Sequence, residues 1–256
     1  MSFEPTSTET GSDSIDVPGI GRCWHYRLRL ADHILVANFK ADAPAINAPN
    51  DTEETTHLLE QIADNEAIKV VLFVGTDVRF GPARLSKEER SNQIQLDSRT
   101  IFERTRRFLR TLVQFDKPIV SALTGDARPP LGLTIALLSD FIVAEEQIRL
   151  SDPHIELGVV SASSAFAWPV SVGVVRAKRY IMTGEAISAT EAERIGLVTE
   201  VVATGAAEGR ALEFARTLAG MDSTALAHTK RALNLPLSER LHVLDATMAA
   251  ARLSGG

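Results

Sequence analysis

The sequence predicts a layered α/β fold with a helical C-terminal region, and three observations predict it. Short apolar, largely β-branched runs recur at Ile34 to Phe39, Ile68 to Val74, Ile119 to Leu123 and Phe141 to Ala144. Segments with helical spacing lie between them. Beyond Ala162 the strand signals nearly vanish, apart from Val198 to Val202. Alternation of this kind is the pattern of βαβ units, whose buried parallel strands read as continuous apolar runs.

The elements follow in order. Trp24, Tyr26, Leu28 and Leu30 alternate with His25, Arg27 and Arg29, the period-two pattern of a strand with one wet face. Ala31-Asp32-His33 is the turn into the second strand, and Thr52 to Asp64 is a short helix. Gly75 bounds the buried strand Ile68 to Val74. Ser86 fits an N-cap with Glu89 three residues later, and Ile94, Ile101, Thr105, Phe108, Leu109 and Leu112 continue at helical spacing until Pro118. Leu131 to Leu138 is a short apolar helix between two buried strands. Helices are expected at 174–183, 188–195, 206–220, 223–234 and 237–252. The expected organisation is a tail over 1–17, a core over 18–195 and a mainly helical region over 196–256.

Composition limits the function. The chain has 256 residues, 45% hydrophobic and 23% charged, with a formal net charge of -6, and no long Lys/Arg run of the kind a nucleic-acid surface needs. Arg104, Arg106, Arg107 and Arg110 are the nearest thing to a basic patch and fit a solvated helix face. Cys23 is the only cysteine, so neither an internal disulfide nor a thiolate metal cage can form, and the six histidines show no metal-ligand spacing. No apolar run reaches the roughly 18 residues that span a bilayer. Residues 1–17 are rich in Ser, Thr, Asp and Glu and read as a disordered tail without the features of a leader, so a cytoplasmic protein is expected.

Searches for GxGxxG, GxxxxGK[ST], HExxH and GxSxG find nothing. Two loops stand out instead. Phe80-Gly81-Pro82-Ala83-Arg84-Leu85 follows one buried strand and opens the long helix. Gly125-Asp126-Ala127-Arg128-Pro129-Pro130-Leu131-Gly132 follows another and opens the short apolar helix. Backbone N–H groups at such turns lack helical partners, so the two loops are either ordinary strand-to-helix turns or, if they converge, an oxyanion hole.

Lys117 to Gly125, Leu133 to Asp140, Thr183-Gly184-Glu185-Ala186-Ile187-Ser188-Ala189 and Ala192 to Val198 together resemble the enoyl-CoA hydratase/isomerase (crotonase) superfamily. Ala45 to Ala48 and Val71 to Leu85 fit its earlier landmarks, so the likeness runs from about residue 22 to 235. The resemblance implies a crotonase-like spiral of ββα turns with a helical C-terminal oligomerisation region that forms homotrimers or hexamers. It also implies an enolate held by two backbone N–H groups, with no cofactor.

Carried over residue by residue, the first donor falls at Ala83, beside Arg84 where the family usually has Asp. The second falls at Pro130 counting from Gly125, or at Leu131 counting back from Asp140, and only Leu131 has an N–H to give. The two hydratase carboxylates fall at Thr134 and His154. Neither is acidic, and His154 is left as the candidate base.

Pro153-His154 and Trp168-Pro169 resemble the β-diketone hydrolase branch of the superfamily, whose type is 6-oxocamphor hydrolase and whose reaction is a retro-Claisen cleavage without CoA. That branch orients its histidine with an aspartate nine residues on, where this chain has Ser163, and has a second histidine where this chain has Gly132. Asp152, Glu156 and Arg84 are the charged residues that could take the orienting role. Asp42-Ala43-Pro44 occupies the stretch where CoA-binding members carry a cation, with Lys40 nearest, and the resemblance leaves no counterpart expected for their final CoA-binding segment after the helix of Lys230, so a substrate other than a CoA thioester is expected.

The leading expectation is therefore carbon–carbon bond hydrolysis of a β-dicarbonyl substrate, with Ala83, Leu131 and His154 catalytic and Arg84, Thr134, Ser163 and Trp168 lining the pocket. The alternatives are an acyl-CoA enzyme of the hydratase/isomerase kind and a catalytically silent scaffold. The expected partner is a small carbonyl compound or an acyl-CoA, with neither nucleic acid nor membrane.

Overall fold

The computed structural model describes residues 17, 20–21, 23–40, 48–75, 98–127, 131–157 and 160–241. Strands β1 (Tyr26–Ala31) and β2 (Ile34–Phe39) form an antiparallel hairpin. Asp32 and His33, both at positive φ (52° and 62°), make its two-residue turn, the backbone twist that suits such a hairpin. The wet-face pattern holds for Tyr26 and Leu28 against Arg27 and Arg29 but inverts before the strand begins. Trp24 is exposed, while His25 is buried with its backbone N–H and Nδ1 on the Glu54 carboxylate.

Helix α1 (Ala48–Ile62), β3 (Val70–Val74), α2 (Ser98–Gln114), β4 (Ile119–Leu123), α3 (Gly132–Leu137) and β5 (Phe141–Glu145) follow, and α1 packs on α2. From β2 onward the main sheet is parallel, and β8 (Glu200–Val202) closes its order as β1-β2-β3-β4-β5-β8. The expected buried strands all lie in this sheet. Alternate residues feed two apolar layers: Leu35, Val71, Phe73 and Ile119 one way, Val36, Val70, Leu72 and Val120 the other. The second layer is closed by α7 (Ala207–Ala219), whose Ala207, Ala211 and Ala215 recur every fourth position and let the helix approach the strands closely.

Arg104 and Arg107 meet Glu53 and Glu60 of α1, so the arginine cluster faces acids across the helix pair rather than solvent alone. Helix α8 (Ser223–Leu233) is tied down by Lys230, which donates to Asp140 Oδ (2.7 Å) and to the Lys117 carbonyl (2.9 Å). The same Asp140 carboxylate accepts the Ile119 N–H at the start of β4.

One helix departs from the sequence reading, as do the short strands Arg149–Leu150 and Ile187–Ser188. Residues Ala162–Val172 form a helix, α4, with Pro169 inside it. Proline cannot donate to the carbonyl four residues back, a defect that normally breaks a helix. Arg240, in the helical run 235–241, repairs it by donating to the Ala165 carbonyl (2.9 Å) and the Phe166 carbonyl (3.0 Å). Ala165 is the position Pro169 leaves without a partner.

The Thr-Gly-Glu-x-Ile-Ser-Ala stretch supplies helix ends. Gly184 (φ 69°) caps α5 (Val174–Thr183) in the left-handed conformation, and Ser188 accepts the Glu191 N–H at the start of α6 (Ala189–Arg194). Of the expected tail, residues 1–16 lie outside the described residues, and Val17 is buried against the core. The Ser86 cap also lies outside them.

Candidate active site

The site is assembled where the turn after β4 meets the chain after β5. Ala127 bridges Leu150 of β6 (Arg149–Leu150) in a parallel sense. Its N–H donates to the Arg149 carbonyl (3.0 Å), its carbonyl accepts Ser151 N–H (3.1 Å), and Asp126 Oδ1 takes the Arg149 N–H (2.8 Å). β6 pairs in turn with β7 (Ile187–Ser188). The segment leading to Leu131 is thus stitched to the segment leading to His154, four and three residues beyond the last bonded positions.

Leu131 stands at the N-cap position of α3 and is fully buried; its N–H makes no backbone hydrogen bond among the described residues. Every residue of α3 is buried, and α3 packs on α4. Thr134 projects from α3 and is 1% exposed, and its Oγ1 has no hydrogen-bond partner among the described residues. Ser163 and Trp168 of α4 are also buried. The Trp168 ring lies 5.6 Å from that of Tyr180 on α5, and its Nε1–H is likewise unpartnered there. Buried polar atoms are ordinarily satisfied, so Thr134 Oγ1 and Trp168 Nε1 are groups that a bound molecule or water would be expected to meet.

His154 lies in the turn between β6 and the single 3-10 turn Ile155–Leu157, with 26% of its side chain exposed. Its Nδ1 is 2.7 Å from Asp152 Oδ1, and its backbone N–H donates to the same oxygen (3.0 Å). The Ser161 hydroxyl donates to Asp152 Oδ2. Asp152 is 2% exposed. Its burial works to raise the carboxyl pKa, but the hydrogen bond and charge of His154, then the Ser161 hydroxyl, outweigh it and hold the group down at about 2. Ser164 favours the same charge by proximity, although its buried hydroxyl makes no hydrogen bond of ordinary geometry.

Of the candidate orienters of His154 among the described residues, Asp152 is the one in contact. Glu156 runs toward the other end of α5: a Cβ built on Gly184 would stand 2.6 Å from Glu156 Oε1. Arg84 lies outside the described residues, as do Ala83 and the Asp42-Ala43-Pro44 stretch. The structure therefore joins the chain that leads to His154 to the chain that leads to Leu131 through the Ala127–Leu150 bridge, and sets Thr134 on the helix packed against that of Ser163 and Trp168. Asp152 and Ser161 have no periodicity or motif to mark them. The available signal was the i, i+2 spacing of Asp152 and His154, which lets an Asp side chain bond the backbone two residues on.

No group of His, Cys, Asp and Glu among the described residues could hold a metal, and no helix there is long and apolar enough to cross a membrane.

The family model for enoyl-CoA hydratase/isomerase matches residues 34–251. The chain is 32% identical over 177 residues to the 2,3-dehydroadipyl-CoA hydratase of Escherichia coli K12, covering 68% of each protein. It is 28% identical over 193 residues to the short-chain-enoyl-CoA hydratase of Clostridium acetobutylicum, covering 74% of each. Its fold matches the crystal structure of an enoyl-CoA hydratase from Mycobacterium avium subsp. paratuberculosis with a TM-score of 0.73 at 21% identity, over 90% of this chain and 89% of that one.

Proposed function

The chain belongs to the enoyl-CoA hydratase/isomerase family, and we propose that it adds water to, or removes it from, an α,β-unsaturated acyl-CoA thioester with His154 as the proton handler. The observation that carries this reading is the state of His154: a partly exposed imidazole, engaged through Nδ1, on the chain that follows the Ala127–Leu150 bridge. Its Nε2 takes a proton from water while the water oxygen bonds to Cβ of the substrate. The electrons of the double bond move to the thioester oxygen as an enolate, held by the Leu131 N–H and by Ala83 in the preceding loop. The imidazolium then returns the proton to Cα, so one water is added and the base is regenerated. Thr134 supplies a hydroxyl where its buried Oγ1 has no other partner among the described residues. The hydratase names of the relatives support a CoA thioester as substrate.

A specific observation favours a second reading, retro-Claisen hydrolysis of a β-dicarbonyl compound. Of the two positions where hydratases carry carboxylates, only His154 keeps a titratable group, and it has a carboxylate behind it. That pair suits attack of water on a carbonyl carbon, release of the neighbouring carbon as an enolate, and its protonation by the imidazolium.

The test is turnover of a panel of short 2-enoyl-CoA thioesters and cyclic β-diketones by wild type and His154→Ala. Thioester hydration that falls about 10²- to 10⁴-fold in the variant is the expected result. Diketone consumption with the same loss replaces the first reading by the second. Thioester turnover untouched by His154→Ala removes His154 from the chemistry.

A further inference from the structure

We propose that Asp152 is a positioning residue for His154, holding the imidazole with its proton on Nδ1 and Nε2 free, and that Ser161 fixes Asp152 in that pose. The inference rests on the reading of His154 as the proton handler. It goes beyond that reading by assigning the acidic partner, which the sequence leaves open once Ser163 stands nine residues after the histidine.

Three observations carry it. First, an Asp side chain that bonds the backbone N–H two residues on is a common turn device and needs only one oxygen. Here the same Oδ1 also takes the ring Nδ1 at 2.7 Å, which the turn does not require. A carboxylate only accepts, so the shared proton sits on Nδ1 and the neutral ring keeps its lone pair on Nε2. Second, Ser161 occupies the N-cap position of α4, where a serine oxygen ordinarily accepts an N–H from the first turn. Its side chain makes no such cap and donates to Asp152 Oδ2 instead. Third, Asp152 is buried at 2% exposure beside the start of α4, where the helix dipole favours an anion, and its two oxygens are both engaged. A carboxylate so enclosed has no freedom to release the ring.

The geometry also leaves His154 the more exposed member of the pair, 26% against 1% for the side chains. The carboxylate is behind the ring and the other nitrogen is the one that can reach a substrate. Asp152 touches no reacting atom in this arrangement and acts through the histidine.

The test uses the full chain with ¹⁵N-labelled histidine, the His154 resonances being assigned by their loss in His154→Ala. Wild type is expected to show the Nδ1–H tautomer at His154. In Asp152→Asn the amide can turn either its oxygen or its NH₂ to the ring, so the tautomer should become mixed or reversed. Turnover should then fall about 10-fold or more with KM nearly unchanged. Ser161→Ala should keep the Nδ1–H tautomer and lose about 2- to 5-fold in kcat. A wild-type His154 carrying its proton on Nε2 overturns the proposal, a reading that needs no variant to fold. So does Asp152→Asn with the wild-type tautomer and kcat within about twofold. If His154→Ala keeps full activity while Asp152→Asn still shifts the tautomer, the catalytic reading of His154 fails and the positioning stands.

Discussion

The charge on Asp152 has a thermodynamic signature apart from any activity. Its folded carboxyl is held at about 2, below the ordinary 3.8. A depressed acid stabilises the fold above its unfolded value, and that contribution is lost as pH falls through the folded one. The shift corresponds to about 2 kcal/mol at pH 6, of which about 1 kcal/mol remains at pH 3. Asp152→Asn removes the titration while keeping the shape. Urea unfolding of both proteins at pH 6 and pH 3, followed by the fluorescence of buried Trp168, gives the double difference. Titrating groups distant from Asp152 cancel in it, while His154, in contact with Asp152, contributes to the difference together with it. The stability gap between wild type and variant should be about 1 kcal/mol smaller at pH 3 than at pH 6. A gap that stays constant, or widens on acidification, would mean that Asp152 is not held as an anion against burial. The account of its bonds to His154 and Ser161 would then be wrong.

Two further outcomes follow from single atoms. Arg240→Met should cost about 1 to 3 kcal/mol in unfolding free energy, because it strands the carbonyl that Pro169 leaves open, and the cost should shrink in the Pro169→Ala background, where residue 169 regains its N–H. A loss of the same size in both backgrounds would show that the arginine acts elsewhere. Thr134→Val keeps the shape and deletes a buried hydroxyl without a partner, so thermal unfolding should rise by the equivalent of about 1 kcal/mol while turnover falls. Lower stability would mean that the hydroxyl is already satisfied in the free protein.

The readable parts of the fold are those where one period decides the outcome. Val70, Val71, Leu72 and Phe73 are apolar on both faces because β3 is buried on both, and a continuous run of that kind has few other interpretations. Helix α4 was not readable, since Pro169 argues against it locally and the repair comes from Arg240, 71 positions further along. The inversion at Trp24 and His25 has the same origin: Glu54, 29 residues later, makes burial of the histidine acceptable. In the site, His154 and Thr134 were legible as exchanges within a family pattern. Asp152 was only one of three possible charges until the distances separated it from Glu156.

Those distances also give the exchange of carboxylate for histidine a physical sense. A carboxylate at position 154 would bring its own negative charge into the pocket. Histidine brings none when neutral, yet the buried Asp152 behind it restores one negative charge to the pair. The charge has moved from the reacting position to a buried one, where it sets the tautomer and stabilises the imidazolium instead of meeting the substrate. With Thr134 at the other carboxylate position, that position supplies no second acid to return the proton. On the proposed reading the nitrogen that takes a proton from water must also deliver one to carbon, so both transfers occur on the face of the substrate that His154 borders. An unoriented imidazole could not repeat that sequence faithfully, which is why a site reduced to one proton handler depends on the residue that holds it.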